Sequence, residues 1–512
     1  MPTTAKRRVA GVATLVLHAK GAPPGTIRVW VGAFQRRTTP QLEWFVDGVP
    51  TQPRAVRHLR SVRAGFAEGA APDRAFSGVF DFDGQASHED VKVEVRAGDD
   101  VASLRTRALP QQTLTDGKDP FHLVLGSCFH VKESQPPNLE KTLNRISLAV
   151  RPGRPQLSLL MGDQVYLDLP TLRDLPKDRA RLAEIFEGEY TRNWIHQSGL
   201  APALQFGPSL CLPDDHEYWN NFPEASPFIE NSYTKAGRKA WKAAAAEQYA
   251  GFQASQPDTL PLSASTTIDV HPLSIFLADT RTERQMNCER SAPVGLGDEL
   301  GAWVEELNRK GRVGLLVTGQ PMFDEAVGGA QGRVADWTLP NYKDYGELVR
   351  PLLAARNPIV CLTGDVHWGR VTEAVRSSGG ANLYEVIVSP MALVTNVATD
   401  WWKEGTNWAR GLFGTRDPWP RHSHPAAPPR HFAQDIVSKT WACRRPKFRP
   451  DGIGIRPEQE FEGQRGDQLG LLTFRRVGAR IHASVRYFPV AADVAPGPPV
   501  PVFTSHMPMP QP

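Results

Sequence analysis

Residues 358–367 read PIVCLTGDVH, and the way this stretch ends decides how the chain is read. Ile359 to Leu362 are apolar without alternation, the pattern of a strand covered on both faces and therefore of a layered α/β core. The run then places an acid, Asp365, and an imidazole, His367, two positions apart, with Gly364 leaving room for close backbone approach. The same arrangement recurs along the chain. FHLVLG runs into Ser127-Cys128-Phe129-His130, QLSLLMG into Asp163-Gln164-Val165-Tyr166, SLCLP into Asp214-Asp215-His216-Glu217, and LSIFLA into Asp279-Thr280-Arg281.

Each strand end has a structural explanation of its own. Asp215 can cap a helix, Asp163 can open a turn, and His367 can be a satisfied core histidine. Together they point to one crevice, because open α/β sheets build their sites at the carboxyl ends of strands. Carboxylates gathered there without a cation repel and raise one another's pKa, so a cation is expected. Imidazole and carboxylate suit a first-row transition metal, and the Tyr166 phenol oxygen favours a hard, oxidised ion such as Fe(III). The remaining oxygen ligands suit Ca(II), Mn(II) or a second transition ion.

Outward from these segments, the chain divides by texture. At 512 residues, 40% hydrophobic and 22% charged, it is folded and too long for one ordinary core. Residues 1–110 carry short alternating runs, TIRVWVGAF, QLEWFVDG, GVFDFDG and VKVEVRAG, closed by Gly or Asp, which predict an antiparallel β-sandwich domain of immunoglobulin or fibronectin type. Residues 111–120 read as a linker, and 121–512 as the α/β domain, with helices over RARLAEIFEGEYTRNW and GRKAWKAAAAEQYAGF. Residues 396–466 hold five of the thirteen tryptophans with many Pro and Arg, and read as an irregular insertion over one end of the core. His422 and His424 form an HxH pair inside it, for which the loop reading outweighs metal binding.

Several classes are set aside by composition. No apolar run approaches the roughly 20 residues of a membrane span. Lys6-Arg7-Arg8 ahead of Val9–Leu17 has the order of a signal peptide, yet the stretch ends in His18 and Lys20 without a small-residue cleavage site, so a first strand is expected. Cytoplasm is accordingly preferred, with export left open. Five cysteines without a CxxC pair argue against a disulfide framework or a zinc knuckle. Residues 1–70 hold eleven Lys/Arg against three Asp/Glu, but no nucleic-acid motif accompanies that charge.

GSC, GDQVY, DDHEYWNN, ADTR and LTGDVH, in that order behind a β-sandwich, resemble the alkaline phosphatase D (PhoD-like) phosphodiesterases of the calcineurin-like metallophosphoesterases. The resemblance covers about residues 121–395 and implies an α/β fold of sheets flanked by helices. It implies hydrolysis of phosphoric esters, mono- or diesters, by a metal-activated hydroxide at a binuclear site. Cys128, Asp163, Tyr166, Asp365 and His367 map onto the family's metal site, with Asp215 as a further ligand where the wider superfamily has Asn. His216 would be the acid facing the leaving group, Asp163 would bridge two ions, and Arg281 would hold a phosphate oxygen. Fe(III) with Ca(II) is the expected pair, with Mn(II) or Zn(II) as substitutes. Cys128 and Asp365 stand where the wider superfamily carries Asp and His. The substrate would be a small or polymeric phosphate ester, with nucleic acid only as a possible substrate. The alternative is a non-catalytic, metal-containing binding protein whose N-terminal β-sandwich recognises a polymer or surface ligand.

Overall fold

The computed structural model describes residues 13–63, 74–115, 119–131, 138–150, 154–169, 175–226, 229–323, 336–367, 369–376, 383–392, 436–441, 447–450, 455–458, 467–490 and 494–506. The N-terminal strands are β1 (Leu15–Lys20), β2 (Ile27–Arg36), β3 (Glu43–Val46), β4 (Val49–Pro50), β5 (Arg54–Ser61), β6 (Arg74–Phe82), β7 (Val91–Ala97) and β8 (Asp100–Thr106). Next come β9 (Phe121–Gly126), helix α1 (Leu139–Ala149), β10 (Leu157–Met161), α2 (Arg179–Ile195), α3 (Ala201–Phe206), β11 (Ser209–Leu212) and α4 (Lys235–Phe252). A second series holds β12 (Thr266–Val270), β13 (Leu273–Leu277), α5 (Leu296–Lys310), β14 (Val313–Val317), α6 (Tyr345–Leu353), β15 (Ile359–Thr363), β16 (Arg370–Arg376) and β17 (Leu383–Ile387). Last are β18 (Ile436–Trp441), β19 (Lys447–Pro450), β20 (Ile455–Glu458), β21 (Gln468–Val477), β22 (Arg480–Pro489) and β23 (Val500–His506).

The architecture is a mixed α/β stack. A ten-stranded sheet runs β23-β22-β21-β9-β10-β11-β1-β2-β6-β5, and a seven-stranded sheet runs β12-β13-β14-β15-β17-β16-β18. Their facing sides share one apolar cluster, with Leu123, Leu159 and Leu210 of the first sheet and Ile275, Leu315 and Val360 of the second. Helices α1 to α4 cover the outer face of the ten-stranded sheet, and α5 and α6 that of the seven-stranded sheet. Strands buried on both faces need no alternation, which is why β10, β13, β14 and β15 are buried at every residue.

Parallel pairing sets the level of the strand ends. Leu160 lies opposite Gly126, Met161 opposite Leu212, Leu277 opposite Val317, and Val317 opposite Leu362. The residues that follow β9, β10, β11, β13 and β15 therefore emerge along one edge of the stack.

The N-terminal region forms a β-sandwich, as its alternation predicts: β1, β2, β5 and β6 face the four-stranded sheet β4-β3-β7-β8 across a core containing Val29, Val31, Phe76 and Val93. It is also continuous with the rest of the chain. Strand β1 pairs in parallel with β11 through Lys20 and Ser209, so one half of the sandwich is an extension of the ten-stranded sheet. The first described strand, Leu15–Lys20, begins inside the apolar stretch Val9–Leu17, whose first residues lie outside the described ones.

The stretch 396–466 differs in part from the irregular insertion expected there. Ile436–Trp441 adds a strand antiparallel to β16, and Lys447–Pro450 pairs with Ile455–Glu458. IVSKTW contains the β-branched and aromatic residues that favour a strand. Trp401, Trp402, Trp408, Trp419, His422 and His424 lie outside the described residues. Cys128, Cys211, Cys288 and Cys361 are all free and buried, and no described helix is long and apolar enough to cross a membrane.

Candidate metal centre

The strand ends converge. Two overlapping groups of ligand atoms form there, one from Asp163, Asp215 and His216 and one from Asp163, Asp214, Asp215 and Asp365, all atoms within a group lying within 4.8 Å of one another. Asp163 and Asp215 belong to both. The backbone is bent sharply to achieve this, since Cys128, Asp163 and Asp365, each just past the end of its strand, have φ of 54°, 58° and 60°. That left-handed region is uncommon for residues with a side chain, and such strain concentrates at functional sites. Gly364 is required sterically: a Cβ there would collide with the Met161 carbonyl oxygen and the Ser127 side chain. Gly162, at φ 95°, likewise lies against Asp214.

The ligand side chains are tied to one another. The Cys128 sulfur lies 3.4 Å from both Asp163 Oδ2 and the Asp365 carbonyl oxygen, which share its single proton, and it accepts from Ser389 Oγ at 3.2 Å. The backbone N–H of His216 donates to Asp163 Oδ1 at 3.2 Å, and that of Asn221 to Asp215 Oδ2 at 2.7 Å. Gln320 donates to Asp365 Oδ2 at 2.9 Å. Burial, and then the neighbouring acids, push the carboxyls of Asp163 and Asp365 well above the usual range. Burial raises Asp214 to about 6, against the pull of Arg281. Burial together with Asp163 and Asp365 also keeps the Cys128 thiol protonated, and the Tyr166 phenol is raised by burial and by Cys128 and Asp163.

These features test whether the residues suit a cation, and they do. Asp214 Oδ2, Asp215 Oδ1 and Tyr166 Oη are buried without a hydrogen-bond partner, and an orphaned buried acceptor is costly unless something else satisfies it. Bound cations would satisfy the oxygens, reverse the mutual repulsion and release the protons that burial retains.

His216 and Tyr166 form the wall beside the carboxylates. Their rings lie 4.1 Å apart, and the His130 ring meets Tyr166 edge-on at 5.6 Å. His216 Nδ1 lies 2.8 Å and 3.0 Å from the two oxygens of Asp168, a residue that is 2% exposed. Burial alone would depress the His216 imidazole, but Asp168, Asp215 and Asp163 outweigh it and hold its pKa well above the ordinary value. His367 is lowered to about 4 by burial and by the charge of His216, which leaves a neutral imidazole. His367 is in neither of the close ligand groups.

Arg281 departs from the role expected of it. The side chain is fully buried, its Nε pairs with Asp214 Oδ1, Nη1 donates to the Phe222 carbonyl at 2.9 Å, and Nη2 donates to Asp336 Oδ2 at 2.8 Å. A guanidinium held on three sides beneath the acids neutralises and orients them, and does not reach outward as a phosphate clamp. Asp279 receives the N–H groups of Arg281 and Thr282, both at 2.8 Å, and shapes that turn. Cys211 and Cys361 are core residues of β11 and β15.

Sequence reading missed Asp168, Gln320 and the role of Glu217. Asp168 falls five residues after Asp163, beyond the strand-end window, so only the acid in GDQVYLD hinted at it. Glu217 was visible in DDHE but had no assigned function. Its carboxylate accepts from the N–H groups of Asp163 at 2.9 Å, Gln164 at 2.7 Å, Val165 at 3.4 Å and Asp214 at 2.8 Å, and from Gln253 Nε2 at 3.0 Å.

Comparison with known proteins adds little. No protein-family model matches the chain, and no curated protein does. Among solved structures, domain I10 from titin is matched at 11% identity over 19% of this chain and 98% of that chain. Its TM-score of 0.12 carries no argument about the fold.

Proposed function

We propose that the chain is a metal-dependent hydrolase of phosphoric esters, with the calcineurin-like fold and the alkaline phosphatase D relationship that its motifs resemble. The observation that carries this reading is the pair of overlapping carboxylate groups sharing Asp163 and Asp215, with buried oxygens of Asp214, Asp215 and Tyr166 left without donors. Asp163, Asp214, Asp215 and Asp365, with Cys128, Tyr166 and His367 around them, would hold two cations. When bound, the cations supply Lewis-acid activation of water and neutralise phosphate charge. Two hard, oxygen-bound ions, or Fe(III) beside the phenol with Ca(II), suit the donors, and Mn(II) or Zn(II) are replacements.

The protein's own groups divide the remaining work. Asp168 holds Nδ1 of His216 and keeps the ring charged, so the second ring nitrogen carries a proton for the departing ester oxygen. Arg281 and Gln320 fix the acids Asp214 and Asp365 from behind. A small or polymeric phosphate ester is the substrate class.

The test combines elemental analysis and a visible spectrum of the purified protein with turnover of a chromogenic phosphodiester and monoester. Bound metal and chelator-sensitive hydrolysis are expected, and Asp163→Asn should remain folded yet fall to background. A metal-free, inactive sample that iron, calcium, manganese and zinc all fail to rescue would instead favour a non-catalytic binding protein.

A further inference from the structure

Glu217 is in neither of the close ligand groups, yet it touches both loops that supply them. Oε2 accepts from Asp163 N at the end of β10 and from Asp214 N at the end of β11, while Oε1 accepts from Gln164 N and Val165 N. A single carboxylate thus sets the spacing between two adjacent strand ends, at a place where the Asp163 backbone is strained at φ 58°.

Its fifth donor leads away from the site. Gln253 Nε2 donates to Glu217 Oε1 at 3.0 Å, and Gln253 directly follows α4. The carboxyl end of that helix is gripped by side chains of the N-terminal strands. Lys20 Nζ donates to the carbonyls of Phe252 at 3.1 Å and Gln253 at 3.0 Å, Trp30 Nε1 to Gly251 at 2.7 Å, and Arg28 Nη1 to Ser255 at 3.1 Å. Cations at a helix carboxyl terminus satisfy carbonyls that lack helical partners and oppose the end of the dipole. Lys20 is 2% exposed and Gln253 1%, so water does not compete for these contacts.

We infer that Glu217 is the positioning residue that locks the two ligand loops together, and that the N-terminal sandwich holds it in place through Lys20 and Gln253. On this assignment the sandwich is part of the site's scaffold. The inference rests on the metal-hydrolase reading. Removing partners of this kind behind metal ligands typically costs about 10- to 100-fold in metal affinity or activity.

The experiment compares wild-type protein with Glu217→Gln and Gln253→Leu, each loaded with metal. Glu217→Gln keeps the size and removes one acceptor oxygen, while Gln253→Leu leaves Glu217 in place and cuts its link to α4, together with the 3.1 Å hydrogen bond from Gln253 Nε2 to the Tyr190 hydroxyl. Measured are the rate of metal release to excess chelator, the visible spectrum where iron is bound, kcat and KM separately, and the Tm of the metal-free protein. Glu217→Gln should release metal about tenfold faster or more, with kcat falling and KM held within about twofold. Gln253→Leu should move the same quantities in the same direction by less, with little change in metal-free Tm. A structural role alone would lower metal-free Tm and leave release and the kcat-to-KM split untouched, which would overturn the inference. If Glu217→Gln fails to fold, Gln253→Leu decides: wild-type release and turnover there overturn it. A wild-type protein that binds no metal sinks the hydrolase reading and this one together, whereas a loaded, active wild type with unaffected variants sinks only the clamp.

Discussion

The two sheets contribute to the candidate centre in different ways. The ten-stranded side supplies Cys128, Asp163, Asp214, Asp215 and His216, set in a buried net that includes Glu217, Asp168 and the backbone of three loops. The seven-stranded side supplies Asp365 and His367, both only half-buried, with Gln320 as the side-chain donor to Asp365. Backbone donors to the acids are concentrated on the first wall, the more rigid of the two, while on the second the side chains of Arg281 and Gln320 brace Asp214 and Asp365.

Breaking the comparison at its strongest point means neutralising one acid on each wall. Asp215→Asn removes a member of both ligand groups and should abolish turnover and metal retention together. Asp365→Asn removes a member of one group, and should leave a residual fraction of both, measured by elemental analysis and hydrolysis on the same samples. Equal losses would show that the walls are equivalent. Within the rigid wall, His216→Asn should cost about 10² to 10⁴-fold in kcat if it is the general acid. Asp168→Asn, which leaves the imidazole but frees its orientation, should cost about tenfold to a hundredfold.

Gly364 is where the walls touch. Gly364→Ala would drive a Cβ against Met161 and Ser127 of the opposite sheet, so urea unfolding should show a loss of about 1–3 kcal/mol.

The smallest effect is a pH signature of the rigid wall. Burial raises the Glu217 carboxyl from 4.5 to about 7, against the donors Gln253, Asp214, Asp163 and Gln164. Because the folded value is raised, the folded chain retains a proton that the unfolded chain has released. This group's contribution is therefore complete below about pH 4.5 and lost as pH rises to about 7. Metal-free Glu217→Gln should show a flatter fall of Tm across that window than metal-free wild type. His367 has the opposite sign: its folded value is lowered to about 4, so it favours the folded state increasingly from there to about 6.5. His367→Ala should steepen the decline.

Much of this was legible from residue order. An unalternating apolar run announces a doubly covered strand, and a strand's carboxyl end is a small target, so Cys128, Asp163, Asp215, His216 and Asp365 could be named before their distances were known. Arg281 shows the limit of that rule. It ends a strand like the others, but what a guanidinium does depends on which acids lie beneath it, and Asp336, 55 residues away, gives no sign of that in the sequence. Glu217 was hidden for a related reason, since its partners are mostly backbone N–H groups, which no residue type advertises. The N-terminal alternation correctly indicated a sandwich but could not reveal the pairing of Lys20 with Ser209, because parallel register across such a distance depends on tertiary packing.

That continuity of the ten-stranded sheet bears on how the chain is made. Strand β1 meets its partner at Ser209, and β9 meets β21 where Leu125 lies opposite Gly470. Pairings so distant in sequence carry a large loop-closure cost and form late. As the chain leaves the ribosome, β1 waits with an open edge for β11, and β9 for a strand near the far end of the polypeptide. Exposed edges of apolar strands are templates for association with other chains. The interval before the last strands emerge is therefore when this protein is most exposed to aggregation, and when a chaperone would have the greatest effect on its yield.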